Sequence, residues 1–560
     1  MNQIEIKKKF KKYTIPDTIN SKPLKELCKP PASFKHQLPQ LFLSEFINPS
    51  TKYKGVLVYH KIGSGKTCTA ITIAEKWKKK RNIVVVLPAS LIGNFKDELR
   101  SPCAGDNYMT TAERNSLENL TSDERKKLMK KTEERIKKYY TIMSYHKFVE
   151  KKISLEKTLL IVDEVQNMIS ESGSFYKKLK KDVDKAPEDL RIVLLSATPI
   201  FDKPAEIALT LNLLPLKEKF DLKTFNDTFI KINTDTCVPS YEFTNQDKFK
   251  SIIKGFVSYY SGMPTKTFPS YDIKYVKCKM EPFQYKSYQI VLKKEAKKKV
   301  DILKLPNNFF IGSRVISNIA FPNSKPNEKG FESWTGNVLE LDNLKKYSIK
   351  YYKIMKNIKK SDGKVFIYSN FLGYGGLKSL IEVLKYHGYY DFRHFQKMDE
   401  KVRNRKKFYA VWSGSESQTY KEEIKFMFNQ KNSPLHILLG SPAIKEGVSL
   451  KRVRQVHILE PYWNFARVAQ IMGRAIRYCS HADLPKSEQH VDIFIYLAIR
   501  PNESSCAKKE SLFDRMSIDR YIQYLSDSKK LLIDQFEKCM KESAIDCLLN
   551  KTLTKVKCKE

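Results

Sequence analysis

Three short segments combine residue types and spacings suited to phosphate chemistry. The first is His60-Lys61-Ile62-Gly63-Ser64-Gly65-Lys66-Thr67. Glycines at 63 and 65 let the backbone turn so that its N–H groups converge on an anion. Lys66 then reaches β- and γ-phosphates, and the Thr67 hydroxyl holds Mg2+ at the start of a helix whose dipole also favours anions. All eight residues are candidates for ATP contacts, although the general pattern has glycine where His60 stands. A glycine-rich turn without a ligand is the competing explanation. The strand before it, the helix after it and the intact GSGKT argue against that.

The second segment is Asp163-Glu164, closing the hydrophobic run KTLLIVDEVQ. At the carboxyl end of a parallel strand, Asp163 is placed to bind Mg2+ through water and Glu164 to orient and deprotonate an attacking water. Acids at strand ends are common, so this pair gains its meaning from GSGKT upstream. The third segment is Gln470-Ile471-Met472-Gly473-Arg474-Ala475-Ile476-Arg477. On a helix Arg474 and Arg477 share one face, and two permanently charged forks suit the charge that develops on a transferring γ-phosphate. Gln470, Arg474 and Arg477 join Lys66, Asp163 and Glu164 as catalytic candidates.

These segments need a scaffold, and the pattern of apolar runs supplies one. β-Branched runs at 53–60, 82–88, 139–145, 157–164 and 191–198 alternate with amphipathic helical stretches, as do runs at 364–371, 436–441, 454–461 and 491–498. Such alternation predicts parallel α/β sheets. The expected organisation is a basic N-terminal arm (1–30), a first α/β domain (31–215), an inserted or linking subdomain (216–340), a second α/β domain (341–500) and a helical tail of two helices (501–560). The tail reads as structural or partner-docking.

Composition narrows the partner. The 560 residues exceed one hydrophobic core, and 102 Lys+Arg against 62 Asp+Glu leave a net charge of +40. That surplus points to a polyanion, nucleic acid before membrane. No apolar run approaches the roughly 20 residues that span a bilayer, and the basic N-terminus lacks the apolar stretch of a secretory signal. The expectation is a soluble intracellular protein. The ten cysteines include no C-x-x-C pair, so reduced thiols and no structural zinc are expected.

GSGKT, DEVQ, SATP (196–199) and QIMGRAIR, in that order, resemble the motif series of superfamily 2 helicases and translocases, over roughly residues 34–500. The resemblance implies two RecA-like domains in tandem that bind ATP between them and nucleic acid across their tops. It implies that Gln37 contacts adenine and that Ser196, Ala197 and Thr198 couple hydrolysis to domain movement. It also implies that 87–95 and 141–145, with Pro88, Ser90 and Ser144 among them, and Ser441 in the motif that continues to Glu446-Gly447, touch nucleic acid. Many relatives have Asp or Asn where Ser449 stands. PASLIGNF and SATPI, with LNLLP downstream, are similar to the Swi/Snf-like branch. EGVSLKRVRQVHILEPYWNFARVAQIMGRAIRYCSH and the ending KESAIDC resemble the helicase-type proteins of nucleocytoplasmic large DNA viruses and related cytoplasmic linear plasmids, a group that includes the poxvirus nucleoside triphosphate phosphohydrolase I and early transcription factor small subunit.

The expected function is therefore a nucleic-acid-dependent ATPase using ATP and Mg2+. It is read as a DNA translocase in viral transcription initiation or termination, with RNA polymerase or other transcription proteins as partners and no membrane. The expected location is the cytoplasm, a viral factory or the virion. An ATP-dependent RNA helicase is the alternative enzyme, and a non-catalytic nucleic-acid-binding scaffold the alternative of another class. The basic clusters at 76–81, 126–131, 293–299 and 401–407 are candidates for a phosphate track, and Tyr259, Tyr260 and Tyr271 for base stacking.

Overall fold

The computed structural model describes residues 2–29, 33–61, 63–170, 173–200, 204–233, 239–296, 309–403, 406–444, 448–503, 516–554 and 556–558. Ile62, Glu446-Gly447 and parts of the basic clusters at 293–299 and 401–407 lie outside the described residues. The chain forms two units, one of residues 1–231, 241–265 and 531–560, the other of 232–240 and 266–530.

The first unit is built on a six-stranded parallel sheet. Strands β1 (Gly55–His60), β2 (Asn82–Leu87), β3 (Tyr140–Ser144), β4 (Thr158–Val162) and β5 (Arg191–Ser196) are the apolar runs seen in the sequence. After two short strands, β6 (Ile230–Asn233) and β7 (Ser240–Phe243), comes β8 (Val257–Tyr260). The sheet order is β3-β2-β4-β5-β1-β8. The central strands β1 and β4 are buried at every position, because both faces of a central parallel strand are covered; the edge strand β8 is buried as well, with the C-terminal segment hydrogen-bonded along it through Ile545 N–H and Asn550 Nδ2. This order sets β4, β5 and β1 side by side, so the segments that follow them emerge together at one end of the sheet.

The second unit carries a seven-stranded parallel sheet: β9 (Ser270–Lys279), β10 (Lys364–Tyr368), β11 (Tyr389–Asp391), β12 (Lys407–Trp412), β13 (Leu435–Gly440), β14 (Val453–Ile458) and β15 (His490–Ile499). Its order is β11-β12-β13-β10-β14-β15-β9. Two tandem α/β units with parallel sheets are what the alternation of runs predicts.

The chain divides differently from the composition. The basic N-terminus is not a loose arm: helix Gln3–Lys9 turns Ile6 (2% exposed) inward and Phe10 (6%) follows, joining the core with Phe42 and Phe46. Apolar residues four apart form one face while Lys7, Lys8 and Lys9 take the other. The 216–340 stretch is no single subdomain either. Its Val257–Tyr260 pairs with β1 in the first sheet, and Ser270–Lys279 pairs with β15 in the second. The described part of the tail holds the long helix Ile518–Glu542, while residues 504–515, where the expectation of two helices also falls, lie outside the described residues; Leu532, Phe536, Cys539 and Met540 enter the first unit's core. Tyr259 and Tyr260 are buried and Tyr271 is exposed, so only Tyr271 is open to a base.

The cysteines also differ from expectation. Cys68–Cys103 and Cys547–Cys558 are disulfides with Cα separations of 5.8 and 5.7 Å, whereas Cys278 and Cys539 are buried free thiols. Residues 35 and 11 apart in sequence become neighbours only when the strands and helices pack, which spacing alone does not reveal. His36 Nδ1 lies 3.8 Å from Cys68 Sγ. His36, Cys68 and Cys103 are the one group of His, Cys and acidic ligand atoms clustered within 4.8 Å among the described residues.

Candidate nucleotide site

The phosphate loop follows β1 directly. Gly63 and Gly65 take φ of +81° and +75°, the left-handed region that residues with a Cβ avoid. At Gly65 space is short as well, since a Cβ would lie 2.7 Å from Gln40 Nε2, which donates to the Gly65 carbonyl at 3.2 Å. Lys66 opens helix Lys66–Trp77, whose first turn holds no acidic side chain, leaving the positive end of its dipole for an anion.

Several groups fit a nucleotide. Gln37 Oε1, an acceptor, and the Ser64 hydroxyl are buried and have no hydrogen-bond partner among the described residues. A buried unpaired polar atom costs free energy unless a ligand satisfies it. Gln37 is held by Gln40, whose Oε1 accepts the Gln37 N–H at 2.8 Å. Gln40 thus ties the Gln37 backbone to the Gly65 carbonyl, a role the sequence did not announce, although it stands one helical turn on.

His60 is wholly buried, and its pKa is pushed down to about 3 by burial and by the Lys66 ammonium. It is neutral, in keeping with a site made for anions rather than for a second cation. Burial, with Lys541 as the next cause, also lowers the pKa of Lys61.

Asp163 and Glu164 follow β4. Asp163 is 5% exposed, and Glu164 Oε1 stands 4.0 Å from Lys66 Nζ. Glu164 has φ +50°, a left-handed conformation that costs on the order of 1–3 kcal/mol for a residue with a side chain. The Tyr145 hydroxyl donates to both the Asp163 and Glu164 carbonyls, and the Glu164 N–H donates to Asp163 Oδ1 at 2.9 Å. The strained turn is therefore pinned on three sides. Gln166, visible in DEVQ but without an evident role there, donates to Glu164 Oε2 and accepts from the Ser196 hydroxyl, each at 2.6 Å. Ser196 Oγ also accepts the Thr198 N–H at 3.0 Å, and Ala197 lies between them in the same turn.

Of the candidates for nucleic-acid contact, Pro88 and Ser90 follow β2 and Ser144 closes β3, all at the end of the sheet that carries the phosphate loop. Ser90 is exposed; Ser144 caps a helix through the Lys147 N–H at 3.3 Å. Ser441 is the exception. It is 1% exposed with its hydroxyl turned to the Ala443 N–H at 3.2 Å, so it presents nothing to a polyanion.

In the second unit Asn464 caps helix Phe465–Ala475 through the Ala466 and Arg467 N–H groups. That helix carries Gln470 and Arg474, and Arg474 is 6% exposed. Arg477 does not share its face. The helix stops at Ala475, Ile476 leaves helical geometry, and Arg477 Nη2 donates to the Val448 carbonyl at 3.2 Å. Burial lowers the Arg477 pKa, and its Nε has no partner among the described residues. The spacing of the two arginines suggests a continuous helix, but the Ser480 hydroxyl, which binds the Arg477 N–H and C=O, holds a turn there instead.

A phosphate loop, an acidic pair and a serine-threonine turn on adjacent strands, with a second parallel sheet bearing a buried arginine helix, define a tandem RecA-like P-loop ATPase. Comparison with known proteins narrows this. The SNF2-related domain matches residues 39–325 and the helicase conserved C-terminal domain residues 349–479. A protein of Acanthamoeba polyphaga mimivirus, R563, named as a candidate ATP-dependent RNA helicase, is 46% identical over 98% of this chain and 94% of its own length. The termination factor NPH-I homolog of African swine fever virus is 26% identical over 89% of this chain and 77% of its own. The chain belongs to the SNF2-related branch of superfamily 2 helicases, in the form found in large DNA viruses, and is an ATP-hydrolysing enzyme that acts on nucleic acid.

Proposed function

We propose that this helicase is a DNA translocase of viral transcription, acting in initiation or termination with RNA polymerase or other transcription proteins, in the cytoplasm, a viral factory or the virion. The observation that carries the motor reading is the hydrogen-bonded line from Glu164 through Gln166 and Ser196 to Thr198. It joins the carboxylate that would activate water to the turn that would transmit its state, and a scaffold protein has no use for it. A nucleic-acid partner is supported by the +40 charge, and a role in transcription by the viral relative named as a termination factor.

On this reading Gln37 receives adenine through its unpaired Oε1, and the loop 60–67 wraps the phosphates. Thr67 and Asp163 would hold Mg2+, which offsets phosphate charge when bound. Lys66 leaves Glu164 for the β- and γ-phosphates, and the freed carboxylate takes a proton from water.

The second reading, an RNA helicase, is favoured by the name of the 46% identical mimivirus relative. ATP hydrolysis with single-stranded DNA, duplex DNA and RNA of equal length separates the two, with Glu164→Gln as the control. Stimulation by DNA but not RNA supports the translocase; stimulation by RNA alone replaces it with the helicase.

A further inference from the structure

The C-terminal segment reaches the root of the phosphate loop through an unbroken hydrogen-bonded chain. Asp546 Oδ2 accepts the Ser258 hydroxyl at 2.6 Å and Oδ1 accepts the Tyr259 N–H at 2.9 Å. Ser258 Oγ lies 2.9 Å from His60 Nε2. Asp546, Ser258 and His60 are each fully buried. Neighbouring bonds tie the same pieces together: Ile545 N–H to the Val257 carbonyl at 2.8 Å, Asn550 Nδ2 to the Tyr259 carbonyl at 2.9 Å, and Lys61 N–H to the Tyr260 carbonyl at 3.0 Å.

The direction of each proton follows from the chemistry of the groups. An ionised carboxylate only accepts, so the single Ser258 proton goes to Asp546. Ser258 Oγ then has only a lone pair for His60, and the neutral imidazole must carry its proton on Nε2. Nδ1 is left as a buried acceptor with no partner among the described residues. Burial raises the Asp546 pKa to about 6, so the carboxylate form prevails at neutral pH. His60 stands where the general phosphate-loop pattern has glycine, so its ring must be held in one orientation for the loop beyond it to keep its shape.

We propose that Asp546 is a positioning residue of the ATP site, acting through Ser258 and His60 on the phosphate loop. The inference rests on reading residues 60–67 as that site. It assigns a role to the ending KESAIDC. The C-terminal segment completes the nucleotide-binding strand pair β1–β8 and sets the tautomer of the residue at which β1 becomes the loop.

Asp546→Asn tests this with little change in volume. Its amide still accepts from Tyr259, but its NH2 faces Ser258 and must donate, which reverses the hydroxyl and moves the His60 proton to Nδ1. Affinity of the full chain for a fluorescent ATP analogue with Mg2+ should fall roughly tenfold, and the KM for ATP should rise equally while kcat at saturation stays within about twofold. Long-range 1H–15N spectra of the histidines should show His60 changing tautomer. Ser258→Ala should weaken binding in the same direction, and the double variant should be no worse than the poorer single one, because both cut one chain. Unchanged affinity in Asp546→Asn and Ser258→Ala, or losses that multiply, would overturn the proposal. Should Asp546→Asn fail to fold, Ser258→Ala decides alone, since it removes one hydroxyl and no charge. Lys66→Ala separates the two layers of inference: if it leaves nucleotide binding intact, the site assignment itself fails, whereas loss there with no effect at 546 and 258 removes only the positioning role.

Discussion

Gln166 donates to Glu164 Oε2 at 2.6 Å while its own Oε1 takes the Ser196 hydroxyl at the same distance. One buried amide thus reads the carboxylate at the end of β4 and the turn at the end of β5. An amide is suited to this because it donates on one side and accepts on the other. Ser196→Ala breaks the line without touching Lys66 or Glu164. A hydrogen bond to this assembly is worth about 1.5 kcal/mol, so kcat stimulated by nucleic acid should fall roughly tenfold, with KM for ATP nearly unchanged. Steady-state ATP hydrolysis with and without polymer measures both.

Glu164→Gln removes the base but keeps the shape and the partner Gln166. Nucleotide should still bind, and turnover should drop on the order of a hundredfold or more. Single-turnover hydrolysis beside equilibrium binding checks this, and a matching loss of binding would make Glu164 a ligand-contact group rather than a base.

The two loop glycines should differ when replaced. Gly63→Ala meets no atom within 4 Å and bears only the backbone cost of φ +81°, about 1–2 kcal/mol. Gly65→Ala bears the same kind of backbone cost at φ +75° and adds a Cβ 2.7 Å from Gln40 Nε2, so the amide that donates to the Gly65 carbonyl must shift. Gly65→Ala should therefore lose ATP affinity more severely than Gly63→Ala. Isothermal titration with Mg2+ and ATP compares them.

Acid should weaken the first unit at Glu113. The Arg135 guanidinium, bonded at 2.7 and 2.9 Å, together with the Thr110 N–H, holds the Glu113 pKa down to about 2. An unfolded glutamate titrates near ~4.3. The stabilisation is full above the unfolded value and is lost as pH falls toward about 2. Thermal melts between neutral pH and pH 3 should show a steeper decline for the wild type than for Glu113→Gln, with the two curves converging in acid.

Reduction should cost stability without abolishing the fold. Cys68–Cys103 closes a loop of sequence separation 35, a constraint worth roughly 3–4 kcal/mol in the chain-entropy account. Melting temperature with and without dithiothreitol should drop by several degrees, and Cys103→Ser should abolish much of that difference.

What the sequence determined by itself was local. Apolar runs bounded by turn residues were legible as β1 to β5, β10 and β13 to β15, most clearly at β1, β4 and β10, because a strand buried on both faces leaves an unbroken apolar signature. GSGKT, DEVQ and SATP were legible because phosphate chemistry fixes both residue type and spacing. The tertiary structure decided what depends on partners remote in sequence. Val257–Tyr260 is too short to stand out, and becomes a strand because β1 offers it an edge. Gln3–Lys9 becomes core because its Ile6 finds a pocket there, with Gln3 anchored on the Glu542 and Ala544 carbonyls. Arg477 leaves the helix its spacing suggests because Ser480 and Val448 satisfy it elsewhere. Asp546, an ordinary acid in the sequence, acquires its place only when residues 258 and 60, far back along the chain, are brought to it in one hydrogen-bonded line. Periodicity reports burial along a segment, whereas hydrogen bonds between segments exist only once the chain has closed on itself.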